Sequence, residues 1–293
     1  MFFIKRKAET EIYGRGPWQE AWSTFRKSRT ALLGLVLFSF IILVTIFAKQ
    51  IAPYGIDDQD LPNRFLPPGK KFIMGTDSYG RDIFSRVILG ARYSMLIGFV
   101  SMSVSAFFGT ILGAVAGFYN DFFDNVIMRF MDLVMSIPNL LLAITIIAVL
   151  GNGVQNMTLA VGISAIPGYA RIIRAAVLSI KDQEFIEAAT CIGSSRVRTL
   201  FRHVLPNCIA PLIVQMTLSV SAAILTASGL SFIGLGIMPP LPEWGAMLSA
   251  GRPYIRQYPW IITYPGIAIM MVIFSISLIG DGLRDALDPR LKR

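Results

Sequence analysis

The chain has 293 residues, of which 54% are hydrophobic and 15% charged, and its mean hydropathy of +0.60 is too high for a soluble domain of this length. Lys and Arg outnumber Asp and Glu by 27 to 18, a net charge of +9, but the cations flank apolar segments and form no continuous stripe. That pattern excludes a nucleic-acid partner and points to anionic lipid head groups.

In chain order, residues 1–30 set Trp18, Trp22 and Phe25 among basic residues, the composition of a cytoplasmic, interfacial segment that leads into a first, uncleaved span. Charge-free windows follow at 31–48, 93–119, 133–170, 204–241 and 257–280, and a helix crossing the bilayer needs about 20 residues. The third window is long enough for two spans and breaks at Gly151-Asn152-Gly153. Six transmembrane helices are therefore predicted, near 31–50, 93–118, 126–150, 156–178, 208–234 and 260–281. Residues 51–92 form an external loop, 93–281 a five-helix core with a cytoplasmic loop at 181–206, and 282–293 a cytoplasmic tail. Lys5, Arg6, Lys7, Arg15, Arg26, Lys27 and Arg29 before the first span, and Arg284, Arg290, Lys292 and Arg293 after the last, place both termini in the cytoplasm.

Several finer features fall within this frame. In the external loop, Asp77 or Ser78 caps a helix start, with Arg81, Asp82 and Arg86 available for ion pairs. The second span carries Ser101, Ser105, Gly109, Gly113 and Gly117 at four-residue intervals, a small-residue stripe that is either a helix-packing face or a smooth pathway wall. Pro138, Pro167, Pro211 and Pro265 bend the later spans. Arg129 and Asp132 form an interfacial pair, and the apolar run from Ser231 to Leu248 dips back onto the bundle. Cys191 and Cys208 are free thiols, with no disulfide framework or metal site implied.

The most informative stretch is the loop from Glu187 to Pro206. Glu187, Ala188 and Ala189 favour helix, Gly193 permits a sharp turn, Ser194 or Ser195 caps a second short helix, and Leu205-Pro206 ends it. In that second helix Val197, Leu200, Phe201 and Val204 recur at helical spacing, with Arg196, Arg198 and Arg202 pointing elsewhere. Such a greasy face needs a partner surface or the bilayer interface to cover it.

The Glu-Ala-Ala run, the glycine four residues after its last alanine and the closing Leu-Pro resemble the "EAA" loop of ABC importer permeases. His203 stands where the generic loop favours Ile, and Arg202-His203-Val204-Leu205-Pro206-Asn207 is similar to the peptide-transporter branch. Gly75 to Arg86, Ser231 to Leu248 and Asp281 to Arg290 resemble the same branch, so the likeness runs through most of the chain. It implies an all-α, six-span type I ABC importer permease in a bacterial inner membrane. A homologous second permease, two cytoplasmic ATPases and an extracytoplasmic solute-binding protein are its implied partners. The resemblance also implies that Glu187, Ala188, Ala189, Gly193, Val197, Leu200 and Phe201 couple the chain to an ATPase.

Absent chemistry agrees with that reading. No Gly-x-x-x-x-Gly-Lys-Ser/Thr phosphate loop occurs, so the chain binds no cofactor itself, and ATP and Mg are expected on partner subunits. One histidine, His203, leaves no Ser/His couple or His-Glu-x-x-His zinc site, and the chain is expected not to be an enzyme. The cargo reads as di- or oligopeptides; nickel chelates, glutathione or another small solute are the alternative within the same architecture. An ion-coupled secondary transporter or channel, or a membrane scaffold, remain the readings of a different class.

Overall fold

The computed structural model describes residues 17–287; Lys5, Arg6, Lys7, Arg15, Arg290, Lys292 and Arg293, invoked above for topology, lie outside the described residues. Helix α1 (Pro17–Lys27) leads to α2 (Arg29–Ile46), where Ser28 caps the first turn by accepting from Ala31 N at 3.3 Å. After the single turn α3 (Ala48–Ile51) and the external segment comes α4 (Ile83–Phe118). Helices α5 (Asp121–Met135) and α6 (Asn139–Leu150) meet at 88°, and α7 (Val154–Ile180) runs back across. The loop between α7 and α10 holds α8 (Glu184–Cys191) and α9 (Arg196–Thr199). The core closes with α10 (Ile209–Phe232), α11 (Trp244–Gly251) and α12 (Trp260–Leu287). Among the described residues five helical stretches are long and apolar enough to span, or six where the bent α5–α6 pair counts as one span.

The second span starts at Ile83 and not near 93, so the end of the expected external loop is helical. Arg86 and Arg92 had broken the apolar window, yet both are satisfied. Arg86 Nη1 donates to the carbonyls of Ile56 (2.9 Å) and Pro240 (3.3 Å) and its Nε lies 3.8 Å from Asp77. Arg92 donates to Thr45 O (3.0 Å) and Ile46 O (2.7 Å), the orphan carbonyls at the end of α2. The helix cap is Asp82, which accepts from Ser85 N at 2.8 Å. Asp77, expected as the cap, instead holds the preceding turn, accepting from Tyr79 N (2.8 Å), Arg81 N (3.0 Å) and Arg81 Nε (2.7 Å).

The small-residue stripe of α4 lies against α7 along its length. Ser101 Oγ donates to Thr158 O and Ser105 Oγ to Gly162 O, both at 2.9 Å. A Cβ on Gly109 would fall 2.3 Å from Tyr169 Cβ, one on Gly113 2.3 Å from Ala170 O, and one on Gly117 2.9 Å from Val177 Cβ. Backbones approach this closely only where side chains are absent, which gives dispersion contacts that lipid cannot outcompete.

At the opposite edge α2 packs on α12. A Cβ on Gly34 would meet Leu278 Cβ at 2.7 Å, and one on Gly282 would meet Ala31 Cβ at 2.3 Å. Ala21 and Phe25 of α1 join Ala31 and Ala286 in a small buried cluster there.

The segment between α10 and α11 does fold back onto the bundle. Glu243 is buried and caps α11, accepting from Gly245 N and Ala246 N at 2.8 Å each. Trp244 Nε1 donates to Val87 O at 2.9 Å. Phe65 stacks on Tyr258 at 4.3 Å between ring centroids, tying the first loop to the start of α12.

Candidate coupling surface

Helices α8 and α9 meet at an elbow that the backbone specifies. Gly193 takes φ +87°, and Ser194 N donates to Ala189 O (3.1 Å) while Gly193 N donates to Thr190 O (3.0 Å). This is the Schellman pairing, which closes a helix on a left-handed residue and satisfies its last carbonyls. Ser195 caps α9 by accepting from Arg198 N at 3.4 Å, while Ser194 Oγ lies 3.0 Å from Thr199 Oγ1.

One side of the elbow is fixed to the bundle. Ile186, Leu200 and Val204 pack with Ala114 of α4, Ile173 and Val177 of α7, and Cys208 in one buried cluster, and Ala189 is buried too. The other side is open. Ile192 is 87% exposed, Val197 57% and Phe201 62%, among exposed Arg196, Arg198 and Arg202. Glu187 and Ala188 are exposed as well, and the Glu187 carboxylate makes no ion pair among the described residues.

Two expectations are corrected. Leu200 belongs to the protein's own core and does not join Val197 and Phe201 on the open face. Leu205-Pro206 does not end the helix either. From Arg196 the chain stays helical to Phe232, through a π turn (Leu200–Val204) and a 3-10 turn (Leu205–Cys208). Pro206 lies in the first turn of the latter, where its missing N–H is not needed. Leu205 N reaches back to Leu200 O, the five-residue spacing of a π turn immediately before the proline.

Behind the elbow, α5 is held to α7 by two cross-helix pairs. Arg174 binds Asp124 through both its Nε (2.5 Å) and Nη2 (2.6 Å). Arg171 Nη2 lies 2.8 Å from Asp132 Oδ1, so the partner of Asp132 is Arg171 and not the expected Arg129. Sequence reading also missed Ile192. Its signal was present, since it is the one large apolar residue in the polar Thr190–Arg196 turn.

Among the described residues no group of His, Cys, Asp or Glu could hold a metal ion. Bent apolar spans around a small-residue helix contact, with an exposed elbow on the loop between α7 and α10, define an all-α membrane-spanning architecture. The fold matches two crystal forms of an inward-facing methionine ABC transporter, MetNI, with TM-scores of 0.58 and 0.57 at 18% and 17% identity, covering 69% and 70% of this chain and 96% and 98% of theirs.

The chain belongs to the family described as binding-protein-dependent transport system inner membrane component, whose profile matches residues 109–293, and residues 16–68 match the N-terminal transmembrane domain of oligopeptide transport permease C. It is 43% identical to the dipeptide transport system permease protein DppC of Alkalihalophilus pseudofirmus, over 97% of this chain and 93% of that one. Identity to the di/tripeptide permease DppC of Pseudomonas aeruginosa is 44%, over 94% and 93%. Identity to the glutathione permease GsiD of Escherichia coli is 42%, over 95% and 92%. The protein is thus a multi-pass inner-membrane permease subunit of an ABC importer, a non-enzymatic component of a family that works in complex with an ATPase and a binding protein.

Proposed function

We propose that this subunit forms half of an ATP-driven pathway for di- and oligopeptides, paired with a homologous second permease and driven by two cytoplasmic ATPases that hold ATP and Mg. A solute-binding protein delivers the cargo from outside, and both termini face the cytoplasm. The peptide assignment rests on the dipeptide and di/tripeptide transporters among the relatives; glutathione, the cargo of a third, is itself a tripeptide.

The observation that carries the coupling role is the exposed patch of Ile192, Val197 and Phe201 on an elbow whose reverse side is buried in the bundle. Burying each large apolar side chain is worth about 1.5–3 kcal/mol, so an ATPase groove that covers them gains a strong hold. A lever seated on Ile186, Ala189, Leu200 and Val204 passes a rigid-body movement to α4 and α7 and does not absorb it in loop motion. Glu187, Ala188 and Gly193 orient the lever; Val197 and Phe201, with Ile192, fill the groove.

Purification of the complex in detergent tests this. Val197→Asp is expected to lose the ATPase while the chain stays folded in the membrane. Leu200→Asp, which buries an unpaired charge in the core, lowers the amount of folded chain. Full ATPase retention by folded Val197→Asp defeats the proposal.

A further inference from the structure

A polar track runs between α7 and α10, away from the coupling surface and bordered by Ser105 of the small-residue contact. Midway along the spans lies a cavity of about 190 Å³ lined by Ser164 of α7, Gln215, Ser219 and Thr226 of α10, and Asn139 at the start of α6. Toward the cytoplasm a cleft of about 590 Å³ is lined by Ser179 of α7, Asn207, Gln215 again, and Arg284 of α12. Gln215 is the residue the two volumes share and stands between them.

The spacing is that of one helix face. Gln215, Ser219 and Thr226 recur at four and seven residues, with Ala222 between them and also lining the cavity. From Thr226 to Asn207 the face runs about 28 Å at 1.5 Å per residue, close to the roughly 30 Å of hydrocarbon core. Pro167 and Gly168 line the cavity on α7, and Pro167 leaves the carbonyl of Ile163 without its intrahelical donor.

Polar side chains turned toward lipid are costly, yet these are incompletely paired. Gln215 Nε2 donates to Ser219 Oγ at 3.1 Å, and among the described residues its carboxamide oxygen has no partner. Tyr169 is 1% exposed, and its hydroxyl lies beside Ser219, the residue that takes the Gln215 bond. Neither volume is lined by an acidic residue, and Arg284 at the cytoplasmic mouth is the one charged side chain around them.

We propose that these facing stripes of α7 and α10 are this subunit's wall of the translocation path, with Gln215 as its contact to the amide groups of the cargo. The proposal rests on the peptide reading for the cargo but not for the path. A carboxamide offers a donor and an acceptor, the complement of a peptide group. The polar groups of this largely apolar wall are neutral hydroxyls and amides apart from Arg284 at its mouth, so they address backbone and not side chains and pass peptides of varied sequence.

The test uses the whole transporter, with its ATPases and binding protein, in proteoliposomes and on a Cys191→Ser background. Gln215→Cys and Ser219→Cys are expected to react with a membrane-impermeant aqueous methanethiosulfonate, and Leu225→Cys, on the outer side of α10 at 60% exposure, is not. If neither track cysteine reacts, nucleotide-free or ATP-bound, in a complex that hydrolyses ATP, the stripe is helix-contact surface and the proposal is overturned. For recognition, Gln215→Leu is expected to raise the KM for dialanine uptake about tenfold, the value of one hydrogen bond, and Gln215→Asn to recover most of it. An unaltered KM in Gln215→Leu overturns the amide contact. Labelling does not depend on the cargo, so reactive track cysteines in a transporter that takes up no dialanine support the path while overturning the peptide reading.

Discussion

Gly193 offers a graded test of the coupling elbow. Its φ is +87°, and a Cβ built there would meet nothing within 4 Å, so a substitution is penalised by backbone conformation and not by collision. Holding an L-residue in the left-handed region costs about 1–2 kcal/mol; Asn tolerates it better, and a β-branched residue is worst. Escaping that strain by moving φ would break the bonds from Ser194 N to Ala189 O and from Gly193 N to Thr190 O, at 3.1 and 3.0 Å, each worth about 0.5–1.5 kcal/mol. Breaking both bonds costs about 1–3 kcal/mol and keeping the strain about 1–2; the cheaper route, about 1–2 kcal/mol, lowers the population of the docking-competent elbow by a factor of about 5–30. In the assembled transporter, ATP hydrolysis stimulated by loaded binding protein is expected to fall in the order Gly, Asn, Ala, Val, with Gly193→Val down about 5–30-fold. Membrane levels of the chain should hold, because the elbow lies outside the apolar spans. Undiminished stimulation in Gly193→Val, or equal losses across the series, would refute the reasoning.

Two further predictions concern the bundle. Gly113→Ala drives a Cβ to 2.3 Å from Ala170 O and is expected to cost about 1–3 kcal/mol of stability, read as a lower melting temperature in detergent; Gly168→Ala, where a Cβ meets nothing within 4 Å, should hold or raise it. Asp124→Asn breaks a bidentate pair with side chains 33% and 23% exposed, and Asp132→Asn a single contact at 52% and 57%. The first should lower the melting temperature measurably, while the second falls within the ~0–1 kcal/mol of exposed pairs; equal effects would contradict the geometry.

Much of this was legible in the chain. The span order, the turn at Gly151–Gly153, the bend at Pro138 and the elbow at Gly193 follow from hydrophobic length and from residues whose backbone preferences leave few options. The errors share one cause, long-range satisfaction of groups that look disruptive locally. Arg86 and Arg92 are charges in an apolar helix until the carbonyls of Ile56, Pro240, Thr45 and Ile46 supply acceptors. Asp132 finds Arg171 on another helix in place of its neighbour Arg129. Pro206 reads as a stop, and a π turn absorbs it. One apolar stripe was drawn through both Leu200 and Phe201, but adjacent helical residues lie about 100° apart, and Leu200 turns into the core while Phe201 stays exposed.

The contact of α2 with α12 bears on how the molecule is made. Gly34 and Ala31 are among the earliest spanning residues to leave the ribosome, yet they seat against Leu278 and Gly282, among the latest. Through most of synthesis the first span therefore waits in lipid without its neighbour, and the arrival of α12 completes the outer wall of the bundle. A nascent chain halted before Trp260 would leave the glycine groove of α2 bare to the membrane, a ready mark by which a quality-control protease could tell an unfinished subunit from a finished one.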